Sequence, residues 1–392
     1  LWRTADVDPL SPARTFWEQH VADQGVLTLG PGASVDTDIV YDDVVEAVGA
    51  SVQRVYRPWT KDHTTLTSLL ISVGMLAVSA GWLALFPVSI WNAALGIGFS
   101  VVLIALAALL HGKTMTVQAT VIGLTASIFA AVGGYQLASY LVPDQAFHTL
   151  PLVGASAGLL VSGCLMAVAA PSTRPYGFIP IIIGLLAAIP GILSTLLPSW
   201  MANIWIIATM FAALAANALP WMCLSFARIS VQSPHSDAEI FALPEPIDYA
   251  EVKQRYITGS TMLFIGRVSV ATMLLIAMPL LNSLSTPLGA VICLVAFLAM
   301  LLDSRQIHTL REMCVTVSAA GLGIICTGLM SVRMHPEFSI PLTMLMLCCA
   351  LATIVFTHVT RRRSLFATRM ADAAETLCIM MLPPLAYLAI TL

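Results

Sequence analysis

The chain has 392 residues, of which 58% are hydrophobic and only 10% charged, whereas soluble proteins carry about 25% charged residues. Its mean hydropathy is +0.88, and apolar runs of about 20 residues recur, each long enough to cross about 30 Å of hydrocarbon as a helix. The runs lack the polar–apolar alternation of barrel strands. A net charge of −3 gives no reason to expect nucleic-acid binding. These features exclude a soluble globular protein and predict an all-α polytopic membrane protein.

Residues 1–62 are polar and soluble in character. The segment Val26–Leu29 reads as a short strand entered through a turn at Asp23–Gly25. About 30 residues cannot bury a core of their own. Residues 1–35 are therefore expected to be the C-terminal part of a larger domain or to pack against a partner. The chain starts at Leu1 without an initiator methionine, so we expect further residues upstream.

The linker 36–63 contains a predicted helix from about Val40 to Tyr56. Six valines recur there at helical spacing and form one apolar face. Acidic residues lie near its N-terminus, where the helix dipole favours them, and Pro58 ends it. The apolar face either packs on its own domain or docks a partner or the membrane surface. The sequence leaves both interpretations open.

Eleven transmembrane helices are predicted, six within residues 64–226 and five within residues 259–392. The ninth and tenth runs are short and are expected to extend into their flanks. The predicted spans are Leu66–Phe86, Ile90–Leu110, Thr116–Tyr140, Leu152–Ala170, Phe178–Leu197, Met201–Phe226, Ser260–Leu281, Leu288–Leu302, Met313–Met330, Pro341–Thr357 and Ala374–Thr391.

The placement of lysine and arginine predicts the orientation. With a cytoplasmic N-terminus, sixteen of the eighteen basic residues face the cytoplasm, while Arg333 lies outside and Arg267 lies within a span. Basic residues accumulate in cytoplasmic connections. We therefore expect a multi-pass membrane protein whose N-terminus is cytoplasmic and whose C-terminus lies on the outer side of the membrane. The outer connections are too short to form a domain.

The cytoplasmic loop 227–258 is the one long polar interruption between the spans. Its segments Ser236–Glu239 and Asp248–Glu251 both fit a capping box, which predicts two helix starts. The second helix is expected to run on toward the seventh span. This length and structure favour a docking element over a passive linker. The predicted partner-binding residues are Ser236, Asp237, Glu239, Ile240, Phe241, Asp248, Tyr249, Glu251, Val252 and Tyr256.

One segment resembles a catalytic motif. Gly154–Gly158 matches the G-x-S-x-G pattern of a hydrolase nucleophile, but it lies inside an apolar run rather than in a strand–turn–helix elbow. The histidines lie in polar segments or at span ends, so none is expected to serve as a base at membrane depth. Close packing of helices through Gly154 and Gly158 is the favoured interpretation. The chain contains no nucleotide-binding motif and no C-x-x-C pair, and we predict no catalytic residue, cofactor or metal.

Arg267 is the one basic residue inside a predicted span. A charge at the centre of a membrane helix costs about 2.5–3.5 kcal/mol on insertion scales, which makes such a residue functional by default. A structural role or a snorkelling contact with lipid headgroups is the simpler interpretation. The basic run Arg361–Arg363 sets topology or binds anionic headgroups. The predicted lipid contacts are Arg267, Arg361, Arg362 and Arg363.

Few other polar residues fall within the predicted spans. Glu375 is the one acidic residue inside them as drawn. Transporters coupled to protons or sodium usually carry carboxylates at membrane depth, so this scarcity argues against a solute permease. The amides Gln118, Gln136 and Asn217 are expected to form hydrogen bonds between helices.

Several segments, in this order, are similar to one known family. Residues Pro9–Phe16 and Gln19–Leu29 resemble the second half of a ubiquitin-like domain, although Gln24 interrupts the usual Asp–Gly pair. Val40–Val48 resembles the linker helix that follows that domain. The run Arg361–Arg363 and the prolines Pro383 and Pro384 resemble the C-terminal end. With eleven spans split six and five, the chain resembles EccD, the multi-span membrane component of actinobacterial type VII (ESX) secretion systems.

The resemblance implies a non-enzymatic core subunit of a protein-secretion machine, with a partial N-terminal ubiquitin-like (α+β) domain. It places the subunit in the bacterial inner (plasma) membrane, with the C-terminus in the periplasm. It implies a homodimer whose two EccD copies surround a lipid-filled vestibule. It also implies contacts of the cytosolic domain and loop with the EccC motor ATPase and with EccE, and contacts of the spans with EccB. The competing interpretations are a stand-alone solute permease and, resting on Gly154–Gly158 alone, a membrane enzyme.

Overall fold

The computed structural model describes residues 61–226, 249–304, 309–341 and 365–391, the strand residues 2–3 and 27–28, and the single positions 307, 343, 344, 347 and 351. Within this part, its ten α-helices are α1 (Lys61–Leu85), α2 (Ile90–Gly112), α3 (Thr116–Leu141), α4 (Leu150–Ala169), α5 (Arg174–Leu196), α6 (Met201–Phe226), α7 (Tyr249–Asn282), α8 (Leu288–Asp303), α9 (Leu310–Met334) and α10 (Leu365–Thr391). The chain divides into two compact units, Leu1–Leu66 and Thr67–Leu392.

The N-terminal unit contains a two-stranded antiparallel pair. Strands β1 (Trp2–Arg3) and β2 (Leu27–Thr28) pair with Trp2 opposite Thr28. The strand predicted at Val26–Leu29 is therefore confirmed in its central two residues. The remainder of the ubiquitin-like segment and most of the linker, including the predicted helix, lie outside the described residues and stay predictions.

Nine helices of the described part are long and apolar enough to cross a membrane. Helix α8 is apolar but has only 16 residues. The tenth predicted span, Pro341–Thr357, lies mostly outside the described residues. The fold is thus that of an all-α, multi-pass membrane protein, as the composition predicts.

Several helices extend beyond the limits predicted from hydropathy. Helix α7 begins at Tyr249 rather than Ser260, and α10 begins at Leu365 rather than Ala374. Helix α9 extends at both ends, as expected for a short apolar run. Hydropathy marks only the part of a helix that lies in hydrocarbon, whereas the backbone hydrogen bonds of the helix continue into the polar flank.

The membrane helices pack in two sets. Helices α2 to α5 each pack on the next one in the chain, whereas α6 to α10 surround a common core. That core contains Trp205 of α6, which is fully buried, and Phe297 of α8, which is 1% exposed. Helix α5 packs against α7 and joins the two sets.

Gln136 of α3 connects α3 to the end of α1. Its amide nitrogen donates to the carbonyl oxygens of Leu83 at 2.9 Å and of Phe86 at 3.3 Å. The Leu83 carbonyl needs an outside donor, because residue 87 is a proline and has no N–H. The predicted interhelical hydrogen bond is confirmed for Gln136. Asn217 instead donates to the Ala213 carbonyl of its own helix at 3.1 Å.

Candidate functional site

Helix α7 carries the described part of the predicted docking site. It runs through 34 residues from Tyr249 to Asn282, which is about 51 Å at 1.5 Å per residue. The hydrocarbon core of a bilayer is about 30 Å thick. About two fifths of the length of α7 therefore lies beyond the hydrocarbon. This agrees with the second capping box, from which a helix was predicted to continue into the seventh span.

The start of α7 exposes apolar side chains. Val252 is 43% exposed, Tyr256 is 60% exposed and Ile257 is 54% exposed. Val252 and Tyr256 are four residues apart and so lie on one helix face. Tyr249 and Glu251 belong to the first turn of the same helix. The other predicted docking residues lie outside the described residues, namely Ser236, Asp237, Glu239, Ile240, Phe241 and Asp248.

A buried ion pair joins α7 to α8. Arg267 donates from Nη1 to the Asp303 carboxylate at 2.6 Å, and the Arg267 residue is only 6% exposed. A longer contact of 3.5 Å connects Arg267 Nη1 to the hydroxyl oxygen of Thr316 on α9. The Nε atom of Arg267 has no hydrogen-bond partner within the described part.

The prediction that Glu375 is the one acidic residue inside a span was wrong. Asp303 is the last residue of α8, and Glu312 lies within the candidate span Leu310–Met334. Glu312 is 4% exposed and accepts a hydrogen bond from the Ser260 hydroxyl at 3.3 Å. Hydropathy placed the span limits one residue away from each acid. Sequence reasoning missed both because their partners lie on other helices.

The geometry favours the structural interpretation of Arg267 over the lipid contact. Its guanidinium bonds to Asp303 inside the helix bundle instead of reaching toward a headgroup. When both partners of an ion pair are desolvated, removal of either one strongly destabilises the fold. The other predicted lipid contacts, Arg361, Arg362 and Arg363, lie outside the described residues.

A second polar contact fixes the same end of the bundle. Arg311 of α9 donates to the Tyr176 hydroxyl of α5 at 3.0 Å. Its guanidinium lies 5.6 Å from the centre of the Phe264 ring on α7, within the range of a cation–π interaction. Tyr176 and Phe264 also meet edge to face, with ring centres 6.3 Å apart. The N-terminal half of the α7 membrane span is thus held to α5, α8 and α9.

The G-x-S-x-G segment packs helices together. Ser156 is 1% exposed, and its hydroxyl donates to the Leu152 carbonyl of its own helix at 2.8 Å. A Cβ atom added to Gly154 would overlap the Gly134 carbonyl oxygen of α3, and one added to Gly158 would overlap that of Ala130. The packing interpretation of this motif is therefore confirmed.

His148 forms a buried contact in the connection between α3 and α4. Its Nε2 atom lies 3.0 Å from the Ile276 carbonyl oxygen of α7, and its ring meets those of Phe147 and Trp205 with centres 5.0 Å apart. Burial lowers the pKa of His148 below its usual range. Sequence reasoning missed this contact. The available signal was Pro279 inside α7, because a proline disturbs the backbone bonds of the preceding turn.

The described residues contain no group of three or more His, Cys, Asp or Glu side chains that could hold a metal ion. Six of the eight cysteines are described, and all six are free thiols. Three of them, Cys223, Cys293 and Cys378, are buried, as is common for free cysteine, which packs as a small apolar residue.

Comparison with known proteins identifies a family. The model of the family described as the EccD-like transmembrane domain matches residues 64–392. The fold is similar to a chain in the structure of protomer 1 of the ESX-3 core complex, with a TM-score of 0.61 and 15% identity over 94% of this chain and 83% of that one. It is also similar to a chain of the MycP5-free ESX-5 inner membrane complex in State II, with a TM-score of 0.53 and 13% identity over 90% of this chain and 85% of that one.

No curated protein sequence matches the chain. At 13% to 15% identity, the structural similarities concern the fold. The family match covers residues 64–392 of 392 and confirms the resemblance drawn from the sequence. The chain therefore belongs to the family of EccD-like transmembrane domains.

Proposed function

We propose that this protein is a core membrane subunit of a type VII (ESX) secretion complex in the bacterial inner membrane. The observation that carries the proposal is the family match across residues 64–392. The fold similarity to chains of the ESX-3 core complex and the ESX-5 inner membrane complex supports it. Its role is to hold other components in place.

The proposed cytoplasmic dock is the loop 227–258 together with the start of α7. The exposed side chains of Val252 and Tyr256 support it, since aromatic and aliphatic side chains commonly anchor protein interfaces. Sixteen basic residues on the same side support a cytoplasmic location. Here the motor ATPase EccC and the component EccE bind, while the spans contact EccB. A second copy completes a homodimer around a lipid-filled vestibule.

A non-enzymatic role agrees with the described geometry. Ser156 is buried and bonded within its own helix, so it cannot reach a substrate in this conformation. The alternative of a solute permease draws support from Asp303 and Glu312, because membrane carboxylates are typical of coupled transporters. Asp303 pairs with Arg267, and Glu312 accepts a hydrogen bond from Ser260. These contacts favour a structural role for both acids.

The complex purified from its native host in mild detergent tests the proposal. We expect the motor ATPase and the other membrane components to co-purify with this chain. A solitary, monodisperse protein that takes up a solute in proteoliposomes contradicts the secretion role and supports the permease.

Variants of the dock separate its role from that of the membrane helices. The double variant Val252→Ser/Tyr256→Ser is expected to lower the recovery of the ATPase about tenfold, as for loss of an interface anchor. The matched control is Gln254→Ala, at an exposed position on another face of α7. Deletion of Ser236–Glu251 is expected to leave membrane insertion intact and abolish ATPase recovery. Retention of the ATPase in both variants contradicts the dock.

A further inference from the structure

Helix α9 turns its polar and small residues into the bundle. Its large apolar side chains Leu322, Ile325 and Leu329 are exposed, whereas every buried residue of the helix is polar or small. Six of these buried residues recur every three or four positions and form one helix face, called the α9 column: Glu312, Thr316, Ala320, Gly323, Thr327 and Ser331. The column is about 29 Å long at 1.5 Å per residue, close to the roughly 30 Å thickness of the hydrocarbon.

The column begins at a charged cluster. Glu312 accepts a hydrogen bond from the Ser260 hydroxyl of α7 at 3.3 Å, and the Thr316 hydroxyl lies 3.5 Å from Arg267 Nη1. Arg267 also pairs with Asp303 of α8. The cluster therefore places two carboxylates and one guanidinium inside the bundle, and Arg267 Nε has no hydrogen-bond partner within the described part.

The other end of the column leads to a histidine. His335 follows the last residue of α9 and is buried, and its Nδ1 atom lies 3.6 Å from the carboxylate of the exposed Glu337. The Ser331 hydroxyl lies 2.7 Å from Oδ1 of the buried Asn282 on α7. Neither Nε2 of His335 nor Oγ1 of Thr327 has a hydrogen-bond partner in the described structure. Through Glu337, this end of the column reaches the water outside the bundle.

Few other charges lie around His335. Arg333 and Glu337 are its charged neighbours in the chain, and both are exposed. The ends of α6, α7 and α10 on the same side carry no charged residue, as the sequences 198–212, 276–289 and 380–391 show. His335 and Glu337 are therefore the groups that can exchange a proton with water at this end of the described bundle.

The partnerless atoms distinguish the column from a simple packing surface. A buried polar atom without a hydrogen bond is costly, and above all within a membrane. Close packing through small residues requires no such atoms, yet Arg267, Thr327 and His335 each have one. Water that enters from both ends would supply the missing hydrogen bonds. Carboxylates, hydroxyls and a histidine in one row are the groups from which membrane proton relays are built.

The centre of the column is closed. Between Thr316 and Thr327, a distance of about 16 Å along the helix, the column contains only Ala320 and Gly323. The ring of Phe297 on α8 fills the space beside Gly323, where an added Cβ atom would overlap it. An apolar constriction of this kind excludes water and gates a path by dewetting.

We propose that the α9 column is a proton path through a single chain, closed in this conformation by Phe297. A proton taken up at one end is balanced by a proton released at the other, so the transfer needs no further reactant. The path lies inside one chain. It therefore goes beyond the proposed secretion role and does not depend on it.

Proton flux into vesicles tests the gate. The purified chain is reconstituted in phosphatidylethanolamine–phosphatidylglycerol vesicles that contain a pH-sensitive dye, and a potassium diffusion potential drives protons inward. We expect the unaltered chain to match empty vesicles and Phe297→Ala to raise the flux about tenfold, because water then enters the centre. The control is Phe129→Ala, which removes a buried ring between α2 and α3. Equal flux in the two variants, or no flux in Phe297→Ala, overturns the proposal.

Circular dichroism and gel filtration show whether each variant is folded. Phe297→Leu also removes the ring but leaves a smaller cavity, and it gives the same comparison if Phe297→Ala is not recovered folded. Its flux is expected to lie between those of the unaltered chain and Phe297→Ala.

Variants of the column distinguish a relay from a leak. In the Phe297→Ala background, Glu312→Gln and His335→Phe each remove a group that carries protons, and each is expected to return the flux to within about twofold of empty vesicles. Gly323→Leu refills the centre from the opposite helix and should do the same. The control is Ser318→Ala, at an exposed hydroxyl on another face of α9, which should keep the flux. Undiminished flux in Glu312→Gln overturns the proposal, because a leak through a cavity needs no carboxylate.

Discussion

Helices α3 and α4 meet through their backbones, whereas helices α7 and α9 meet through polar side chains. At the first interface Gly134 and Gly154 lie so close that neither could carry a side chain. At the second, Arg267 and Ser260 of α7 face Thr316 and Glu312 of α9 across hydrogen-bonding distances. Both kinds of contact hold helices together within the membrane. The hydrophobic effect contributes little there, because the helices already lie in hydrocarbon.

The two interfaces differ in what they tolerate. A close backbone approach depends on the absence of side-chain atoms, so any added carbon forces the helices apart. A buried charge depends on its partner, so removal of one group is more damaging than removal of both. Variants at each of the two interfaces can therefore measure how much each kind of contact contributes to stability.

The largest expected effect is at the ion pair between α7 and α8, which holds the Arg267 side chain of the polar interface. Asp303→Ala removes the carboxylate and leaves the buried Arg267 guanidinium without this counter-charge. We expect the free energy of unfolding to fall by about 3–5 kcal/mol. Denaturant unfolding of the protein in mild detergent, followed by circular dichroism, measures the change.

The matched control is the double variant Arg267→Met/Asp303→Leu. It removes both charges and fills the space with apolar atoms, so the free energy of unfolding should stay near that of the original chain. An equal loss in the single and double variants contradicts the assignment of the effect to an unpaired charge.

The next effect is at the backbone interface. Gly158→Val places carbon atoms against the Ala130 carbonyl oxygen of α3, and overpacking of this kind lowers the free energy of unfolding by about 1–3 kcal/mol. The same unfolding measurement applies. Gly98→Val on α2 is the control, because a Cβ there meets no atom within 4 Å. Similar losses at both positions would show that helix propensity, and not the close approach, is being measured.

A smaller effect is expected at the contact between α1 and α3. Gln136→Leu removes the donor to the Leu83 carbonyl, and we expect a loss of about 1 kcal/mol in the free energy of unfolding. Asn217→Leu serves as the comparison, since the Asn217 amide bonds only within its own helix in the described contacts. A larger loss for Asn217→Leu contradicts the importance of the interhelical bond.

The smallest effect is expected from the protonation of His148. Its pKa is lowered in the folded protein by burial, so the unfolded chain binds the proton more readily. Its contribution to stability is therefore complete above the unfolded pKa of about 6.5 and is lost as the pH falls through the folded pKa. Thermal unfolding between pH 8 and pH 5 measures it. His148→Phe keeps an aromatic ring and should flatten this part of the pH dependence, whereas an unchanged profile assigns the effect to other groups.

Much of the membrane fold could be predicted from hydropathy. Helix α6 coincides with its predicted span from Met201 to Phe226, and α9 extends beyond its short apolar run as expected. The start of α7 was indicated by the capping box at Asp248–Glu251. The contacts of Asp303 and Glu312 could not be predicted in this way, because each acid stands at the end of an apolar run and its partner is distant in the chain.

By itself, the sequence determined the class of the protein. Twenty-residue apolar runs have to become helices in a bilayer, where no water satisfies the backbone, and the order of polar segments indicated the EccD family. Tertiary structure decided which surfaces are used. Arg267 pairs with Asp303 because α7 and α8 pack together. Gly154–Gly158 forms a contact between helices and does not act as a nucleophile elbow. Composition determines which segments lie in the membrane, whereas the packing of the helices determines which atoms each polar or small residue contacts.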